Sequence, residues 1–298
     1  MLARGFIGRS HPPTSKPRFD HNPEIDGQPG PWYSMPQAPR RVRSGPDPGA
    51  ILGSLEARSP SVILSDSLGG PPLGDPLLDR LLVPLRWLAR YHRYEIRGFE
   101  HIPRRGRAIL VVNHSFATYD VVLLGAAILN RVRRDFVGLA DRQLFRFPRV
   151  AAWLRRLGLT EASHANADAA LRDGRLVCVA PGGMREALRP STQRRRVLWQ
   201  KRHGFVELAV RTRSPVILAA CPNADDLFEV RPTFLTKFLY KAAHLPFAVV
   251  RGWGPTLLPR PVKLVHHVSS PMRPPRTEEA IERFHERLTR TMSEMLLR

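Results

Sequence analysis

The chain contains 298 residues, 43% of them apolar, and carries a formal net charge of +21. This length and apolar content exclude wholesale disorder and predict a substantial core. Two cysteines cannot build a disulfide framework or a four-ligand zinc site. The longest apolar run, residues 121–129, falls short of the roughly 18 residues that a membrane-spanning helix requires, so a conventional transmembrane anchor is not predicted.

The first 74 residues are predicted to form a disordered, proline-rich tail. Fourteen of the 29 prolines fall within residues 1–76, where neither a helical nor a strand period is sustained. Residues 1–75 hold eight basic and seven acidic residues, so the excess positive charge belongs to the rest of the chain. A basic body attracts polyanions, which makes nucleic acid, anionic lipid headgroups and a phosphorylated cofactor candidate partners.

A helix is predicted to begin at Asp75-Pro76, because an N-cap acceptor precedes a proline that suits the first turn. Leucines follow at helical spacing up to Leu88, with arginines and aromatic rings between them. Two interpretations of residues 75–94 stay open. The segment is either an amphipathic helix in a membrane interface or a core-packing helix kinked at Pro84.

After Tyr94, short apolar segments alternate with helical patterns, which predicts one α/β domain over residues 75–298 with a largely parallel sheet flanked by helices. The predicted strands are Ala108 to Val112, Phe136 to Leu139, Leu176 to Ala180, Val216 to Cys221 and Val262 to Val268. The predicted helices lie near residues 119–131, 148–157, 163–173, 203–213, 233–244 and 277–297.

The first candidate site follows the apolar strand that ends at Val112. His114 comes directly after this strand, and Asp120 stands where the next helix opens. Ligands of α/β folds gather at the carboxyl ends of strands. A histidine there can act as general base toward a hydroxyl while a carboxylate orients it and stabilises the imidazolium. The alternative is that the pair is structural.

The second candidate site is the turn after the strand that begins at Leu176. Gly182 and Gly183 permit close backbone approach, so their N–H groups could face a phosphate or a developing oxyanion. The alternative is a plain tight turn.

Together, about 68 residues apart, the two segments resemble the lysophospholipid acyltransferase superfamily. The likeness is greatest to its neutral-lipid branch, which includes type 2 diacylglycerol acyltransferases, transmembrane-protein-68-like proteins and phytyl ester synthases. Five residues separate His114 from Asp120, as in that branch, where the superfamily's usual motif has four. The phosphate-using branch carries a Glu-Gly-Thr-Arg block, whereas this chain has Pro181-Gly182-Gly183-Met184-Arg185-Glu186-Ala187-Leu188. The resemblance covers about residues 94–298 and includes shorter matches at Ala140 to Phe145, Trp199 to Phe205 and Pro261 to Leu264.

The resemblance implies a glycerolipid-acyltransferase-like domain that moves an acyl group from a thioester, acyl-coenzyme A or acyl carrier protein, to a lipid hydroxyl. It implies no metal, no cofactor beyond the acyl-coenzyme A co-substrate, and no covalent acyl-enzyme. His114 corresponds to the base and Asp120 to its orienting partner. Gly182, Gly183, Arg185 and Glu186 correspond to the substrate-binding motif. We expect a peripheral protein on the cytoplasmic face of a membrane that contains anionic lipid.

Other functions are less well supported. The basic run after Arg185 has few interleaved aromatic residues, which argues against specific nucleic-acid binding. Cys178 and Cys221 lie in apolar strands, where a thiol is usually a small core residue. His266 and His267 suggest a metal site, but neighbours in a strand point to opposite faces. A lysophospholipid acyltransferase with a phosphorylated acceptor, or a non-catalytic peripheral membrane protein with this fold, remain alternatives.

Overall fold

The computed structural model describes residues 62–63, 74–231 and 249–298. The predicted helix near 233–244 lies outside these residues, and so does the predicted tail apart from residues 62, 63 and 74.

The described residues form ten strands and seven α-helices. The strands are β1 (Val62–Ile63), β2 (Glu95–Arg97), β3 (Ala108–Val112), β4 (Phe136–Ala140), β5 (Leu159–Glu161), β6 (Leu176–Val179), β7 (Val216–Ala220), β8 (Glu229–Arg231), β9 (Val249–Arg251) and β10 (Val265–Val268). The helices are α1 (Pro76–Tyr91), α2 (Tyr119–Ala127), α3 (Pro148–Arg156), α4 (His164–Arg172), α5 (Gly183–Ala187), α6 (Gly204–Thr212) and α7 (Ile281–Leu296).

Eight of the strands form one sheet in the order β1-β2-β10-β7-β3-β6-β4-β5, and β8 pairs with β9 separately. Within this order, the five consecutive strands β7, β3, β6, β4 and β5 are parallel to one another. β10 is antiparallel to β7 and parallel to β2, and β1 is antiparallel to β2. The prediction of an α/β fold with a largely parallel sheet is therefore confirmed.

Helices cover both faces of this sheet, because its central strands are apolar on both sides. In β3, Leu110 and Val112 face a core that also contains residues of α1 and α2. Ile109 and Val111 face a second core, which contains residues of α4, α6 and α7. The central strands are thus buried between two layers of helices. Because β7, β3, β6 and β4 are parallel, their carboxyl ends lie at the same edge of the sheet.

Helix α1 begins as the sequence predicts, since the Leu78 amide donates to the Asp75 carboxylate at 3.3 Å. One face of α1 packs on the sheet through Leu82 and Ala89, as the core-packing interpretation requires. The opposite face leaves Val83 and Trp87 62% and 64% exposed. The helix therefore presents a second apolar surface away from the core.

Several boundaries differ from prediction. β1 lies inside the segment predicted to be tail, and the three-residue strands β2, β5, β8 and β9 are not among the predicted strands. The last predicted strand starts at Val265, three residues late. Beyond α2 the helix widens into a π-helical turn over Ile128–Val132. No helix within the described ranges combines the length and apolar character needed to cross a membrane.

Candidate active site

The two predicted site segments meet at the carboxyl edge of the sheet. β3 and β6 are parallel neighbours, with Leu110 opposite Cys178, so the loops that follow them emerge side by side. His114 follows β3, and the turn with Gly182 follows β6. The fold therefore brings together the histidine and the glycine pair that the sequence separates.

Glu186 joins these two loops. Its side chain is buried, and one carboxylate oxygen accepts the backbone N–H of His114 at 3.1 Å. The other oxygen accepts the N–H of Leu198 at 2.8 Å. Burial raises the pKa of Glu186, while these hydrogen bonds and the nearby Arg189 guanidinium oppose that rise. Both oxygens are committed to backbone amides, so Glu186 holds the site together.

The structure explains why glycine occupies positions 182 and 183. A Cβ on Gly182 would lie 2.0 Å from the Glu186 carboxylate oxygen, so a larger residue would displace that carboxylate. Gly183 has a positive φ of 53°, which favours glycine. The Gly183 amide donates to the Ala180 carbonyl at 3.1 Å and closes a tight turn. The Gly183 amide is therefore hydrogen-bonded within the turn, whereas the sequence presents it as a candidate donor to an oxyanion.

Two arginines lie near the glycine turn, and only one contacts it. Arg202 donates to the Pro181 carbonyl at 2.7 Å and also to the Gly182 carbonyl. Arg185 is exposed and donates to the Gln200 side chain at 2.9 Å. Arg202 is thus the cation that fixes the turn. Its spacing from Pro181 carries no local signal, so sequence reasoning could not assign this contact.

The imidazole of His114 is half-buried and oriented by its own loop. Nδ1 lies 2.9 Å from the Ser115 carbonyl, an acceptor that places the proton on Nδ1 and leaves the lone pair on Nε2. Burial lowers the pKa of His114, the Asp120 carboxylate raises it, and Arg189 lowers it. His114 is therefore neutral at pH 7 and has the protonation state of a general base.

Asp120 lies at the start of α2 and is fully buried. One of its oxygens accepts the Ser115 hydroxyl, and the other lies 3.4 Å from Nε2 of His266. Within the described residues neither oxygen is hydrogen-bonded to His114. Asp120 acts on His114 through its charge and through Ser115, while the Ser115 carbonyl orients the ring.

His266 is buried and its neighbour His267 is only partly buried, consistent with side chains on opposite faces of β10. Asp120, Cys221 and His266 place donor atoms within 4.8 Å of one another, the one such group found in the described part of the chain. This set is one ligand short of a structural zinc site. Both cysteines are buried, and burial raises the pKa of the Cys178 thiol to about 12, so it stays protonated.

Part of the basic run after Arg185 is neutralised internally. Arg189 is buried, and its Nη2 donates to both Asp225 carboxylate oxygens at 2.6 Å while its Nε donates to one of them at 3.2 Å. Arg194 and Arg195 lie 3.4 and 3.0 Å from Asp226. These arginines fasten the loop before α6 to the segment after β7. From the sequence alone these arginines belong to the charge that could attract polyanions, because their pairing with Asp225 and Asp226 leaves no local pattern.

Residues 93–221 match the acyltransferase family model, so this part of the chain is similar to acyltransferases. The resemblance inferred from the two motifs is confirmed. The protein "DGAT1/2-independent enzyme synthesizing storage lipids" of Homo sapiens is 30% identical over 171 residues, which are 57% of this chain and 52% of that one. Its namesake from Gallus gallus is 27% identical over 197 residues, 64% of this chain and 59% of that one.

The chain therefore spans between half and three fifths of the length of these two relatives. Among solved structures, the 1-acyl-sn-glycerophosphate (LPA) acyltransferase PlsC from Thermotoga maritima aligns with a TM-score of 0.48 and 19% identity. The alignment covers 76% of this chain and 84% of that chain.

The space occupied by the Glu186 carboxylate predicts the effect of Gly182→Ala. The added methyl group should displace the carboxylate and cost about 1–3 kcal/mol of stability. The amides of His114 and Leu198 should then lose protection in hydrogen exchange. Gly174→Ala is the control, because a Cβ there meets nothing within 4 Å and only its positive φ is strained. Equal protection of both amides in the two variants would contradict the proposed steric constraint.

The environment of His114 predicts how its imidazole titrates. Burial should place its pKa below the ordinary 6.5, so the ring should remain neutral as the pH falls through 6.5 and become protonated only below it. Asp120→Asn removes the charge that raises this pKa and should move the titration to still lower pH. Side-chain NMR of the folded protein measures both values. A His114 titration above 6.5, or an upward shift in Asp120→Asn, would contradict this account.

Proposed function

We propose that this protein transfers an acyl group from a thioester, acyl-coenzyme A or acyl-acyl carrier protein, to the hydroxyl of a lipid. The observation that carries the proposal is the position of His114 beside the glycine turn, where its backbone N–H donates at 3.1 Å to the Glu186 carboxylate. Its Nδ1 faces the Ser115 carbonyl at 2.9 Å, which leaves the lone pair on Nε2, and the Thr118 hydroxyl lies 3.5 Å from that nitrogen. The two relatives are named as enzymes that synthesise storage lipids, which supports a neutral glycerolipid or long-chain alcohol as acceptor.

In the proposed reaction, Nε2 of His114 takes the proton of the acceptor hydroxyl as its oxygen attacks the thioester carbonyl. The C–O bond forms and a tetrahedral oxyanion results. When the oxyanion collapses, the C–S bond breaks and the thiolate leaves with the proton from the imidazolium. Asp120 stabilises the imidazolium electrostatically between these steps. The site needs no covalent acyl-enzyme, because a thioester is already activated.

The proposal predicts the behaviour of two site variants. His114→Ala should lower turnover about 10²- to 10⁴-fold, the usual contribution of a general base. Asp120→Asn should cost less, because Asp120 acts only through charge and through Ser115. The assay follows label from acyl-coenzyme A into total membrane lipid and identifies the product by mass spectrometry, which also separates neutral-lipid from phosphorylated acceptors.

His101→Ala is the matched control, since His101 lies in the turn before β3, at the opposite end of that strand. It should retain normal turnover. Near-normal turnover of a folded His114→Ala protein would overturn the mechanism. A folded wild-type protein without any acyl transfer would instead favour the non-catalytic alternative.

We further propose that the protein binds the surface of membranes that contain its lipid substrates. Val83 and Trp87 are exposed on α1, and Trp153 is 49% exposed on α3. The two helices approach each other where Arg156 lies 3.4 Å from Asp75. Exposed apolar residues beside arginines are typical of interfacial helices, and each cation near an anionic surface contributes about 1 kcal/mol.

Flotation with vesicles of phosphatidylcholine and phosphatidylglycerol tests this surface. Binding should weaken at high salt but persist, because salt does not screen apolar burial. Trp87→Ser combined with Trp153→Ser should reduce binding while the melting temperature is kept. Leu297→Ser removes an exposed apolar residue outside α1 and α3 and should bind as the wild type does. Undiminished flotation of the double variant would reject these helices as the contact surface.

A further inference from the structure

A second histidine lies behind the site. His266 is fully buried in β10, and its Nε2 lies 3.4 Å from the Asp120 carboxylate. On the other side of the ring, Nδ1 lies 2.8 Å from the hydroxyl of Tyr94, which is also fully buried. The remaining Asp120 oxygen accepts the Ser115 hydroxyl. Successive contacts thus join four side chains, and the last of them belongs to the residue that follows His114. These side chains are Tyr94, His266, Asp120 and Ser115.

A buried carboxylate requires partners, because removing its charge from water is costly. The Ser115 hydroxyl satisfies one oxygen of Asp120. The other oxygen has no hydrogen-bond donor among the described residues, and the nitrogen that faces it belongs to His266. His266 is therefore the side chain placed to fix the rotation of the Asp120 carboxylate.

Tyr94 determines which nitrogen of His266 carries the proton. Burial raises the pKa of Tyr94 well above its ordinary value, so the phenol keeps its hydrogen and can donate it to Nδ1. A ring that accepts at Nδ1 carries its hydrogen on Nε2, the atom that faces Asp120.

We propose that His266, held by Tyr94, is a positioning residue for the acyl transfer reaction and acts through Asp120. It fixes the carboxylate that stabilises the His114 imidazolium and binds the Ser115 hydroxyl. This inference rests on the proposed function, since it assumes that His114 is the base. His266 itself has no contact with His114 among the described residues.

Kinetics of four variants test the proposal, with oleoyl-coenzyme A as donor and total membrane lipid as acceptor. His266→Leu should lower kcat on the order of 10-fold with little change in KM, as expected for one member of a coupled group of buried polar side chains. His266→Gln retains an N–H donor and should recover most of the loss. Tyr94→Phe should have a smaller effect in the same direction. His267→Leu, one residue away on the other face of β10, should retain wild-type kcat.

A double-mutant cycle shows whether His266 acts through Asp120. In an Asp120→Asn background, His266→Leu should cause no further loss of kcat, because the carboxylate it positions is gone. Independent, multiplicative losses would overturn the proposal, as would unchanged kcat in a folded His266→Leu protein. If His266→Leu fails to fold, the same cycle with Tyr94→Phe and the rescue by Gln decide the question.

An NMR measurement that requires no catalytic turnover tests this inference separately from the proposed function. In ¹H–¹⁵N spectra of the wild-type protein, His266 should carry hydrogen on Nε2, and its signals should shift in Asp120→Asn. This result is expected even if the wild type transfers no acyl group, an outcome that would count against the proposed function alone. Hydrogen on Nδ1, or a stoichiometric zinc ion that disappears in His266→Gln, would overturn the positioning role.

Discussion

The buried carboxylate of Glu186 is the constraint on which the rest of the site depends. It lies between two loops that leave neighbouring strands, and its oxygens accept one amide from His114 and one from Leu198. Backbone amides left unpaired in such a place would each cost about 1–3 kcal/mol. One side chain therefore fixes the main chain of the histidine loop, the glycine turn and the segment before α6. Gly182 is the residue that leaves room for it.

The same edge of the sheet concentrates further buried charge, and each group has a specific partner. Arg189 donates to Asp225 through Nε and Nη2, and Asp120 faces His266 and Ser115. Pairs of this kind contribute little net stability because both partners lose their hydration. Their effect is to fix geometry: removal of either partner leaves an uncompensated charge in the interior. The site is rigid for this reason.

Sequence reasoning identified the parts of the site that are local in the chain. The apolar runs of β3, β6 and β7 and the spacing of His114, Asp120 and Gly182 are visible as patterns, and the parallel sheet follows from their alternation. Contacts between distant segments left no such pattern. Nothing local connects Arg202 with Pro181 or His266 with Asp120, since these pairs depend on strand order and on the antiparallel entry of β10. The three-residue strands are likewise too short to show a period.

The position of β10 has a consequence for how the molecule is made. This strand is synthesised after the other seven strands of its sheet, yet it lies between β2 and β7, well inside the sheet. Until residues 265–268 arrive, β7 has an open, apolar edge and β2 has no place in the sheet. Pairings between such distant segments form slowly, and open edges invite association with other chains. A nascent chain that already contains the segments with His114 and Gly182 therefore leaves this edge of β7 unpaired until residues 265–268 have been synthesised.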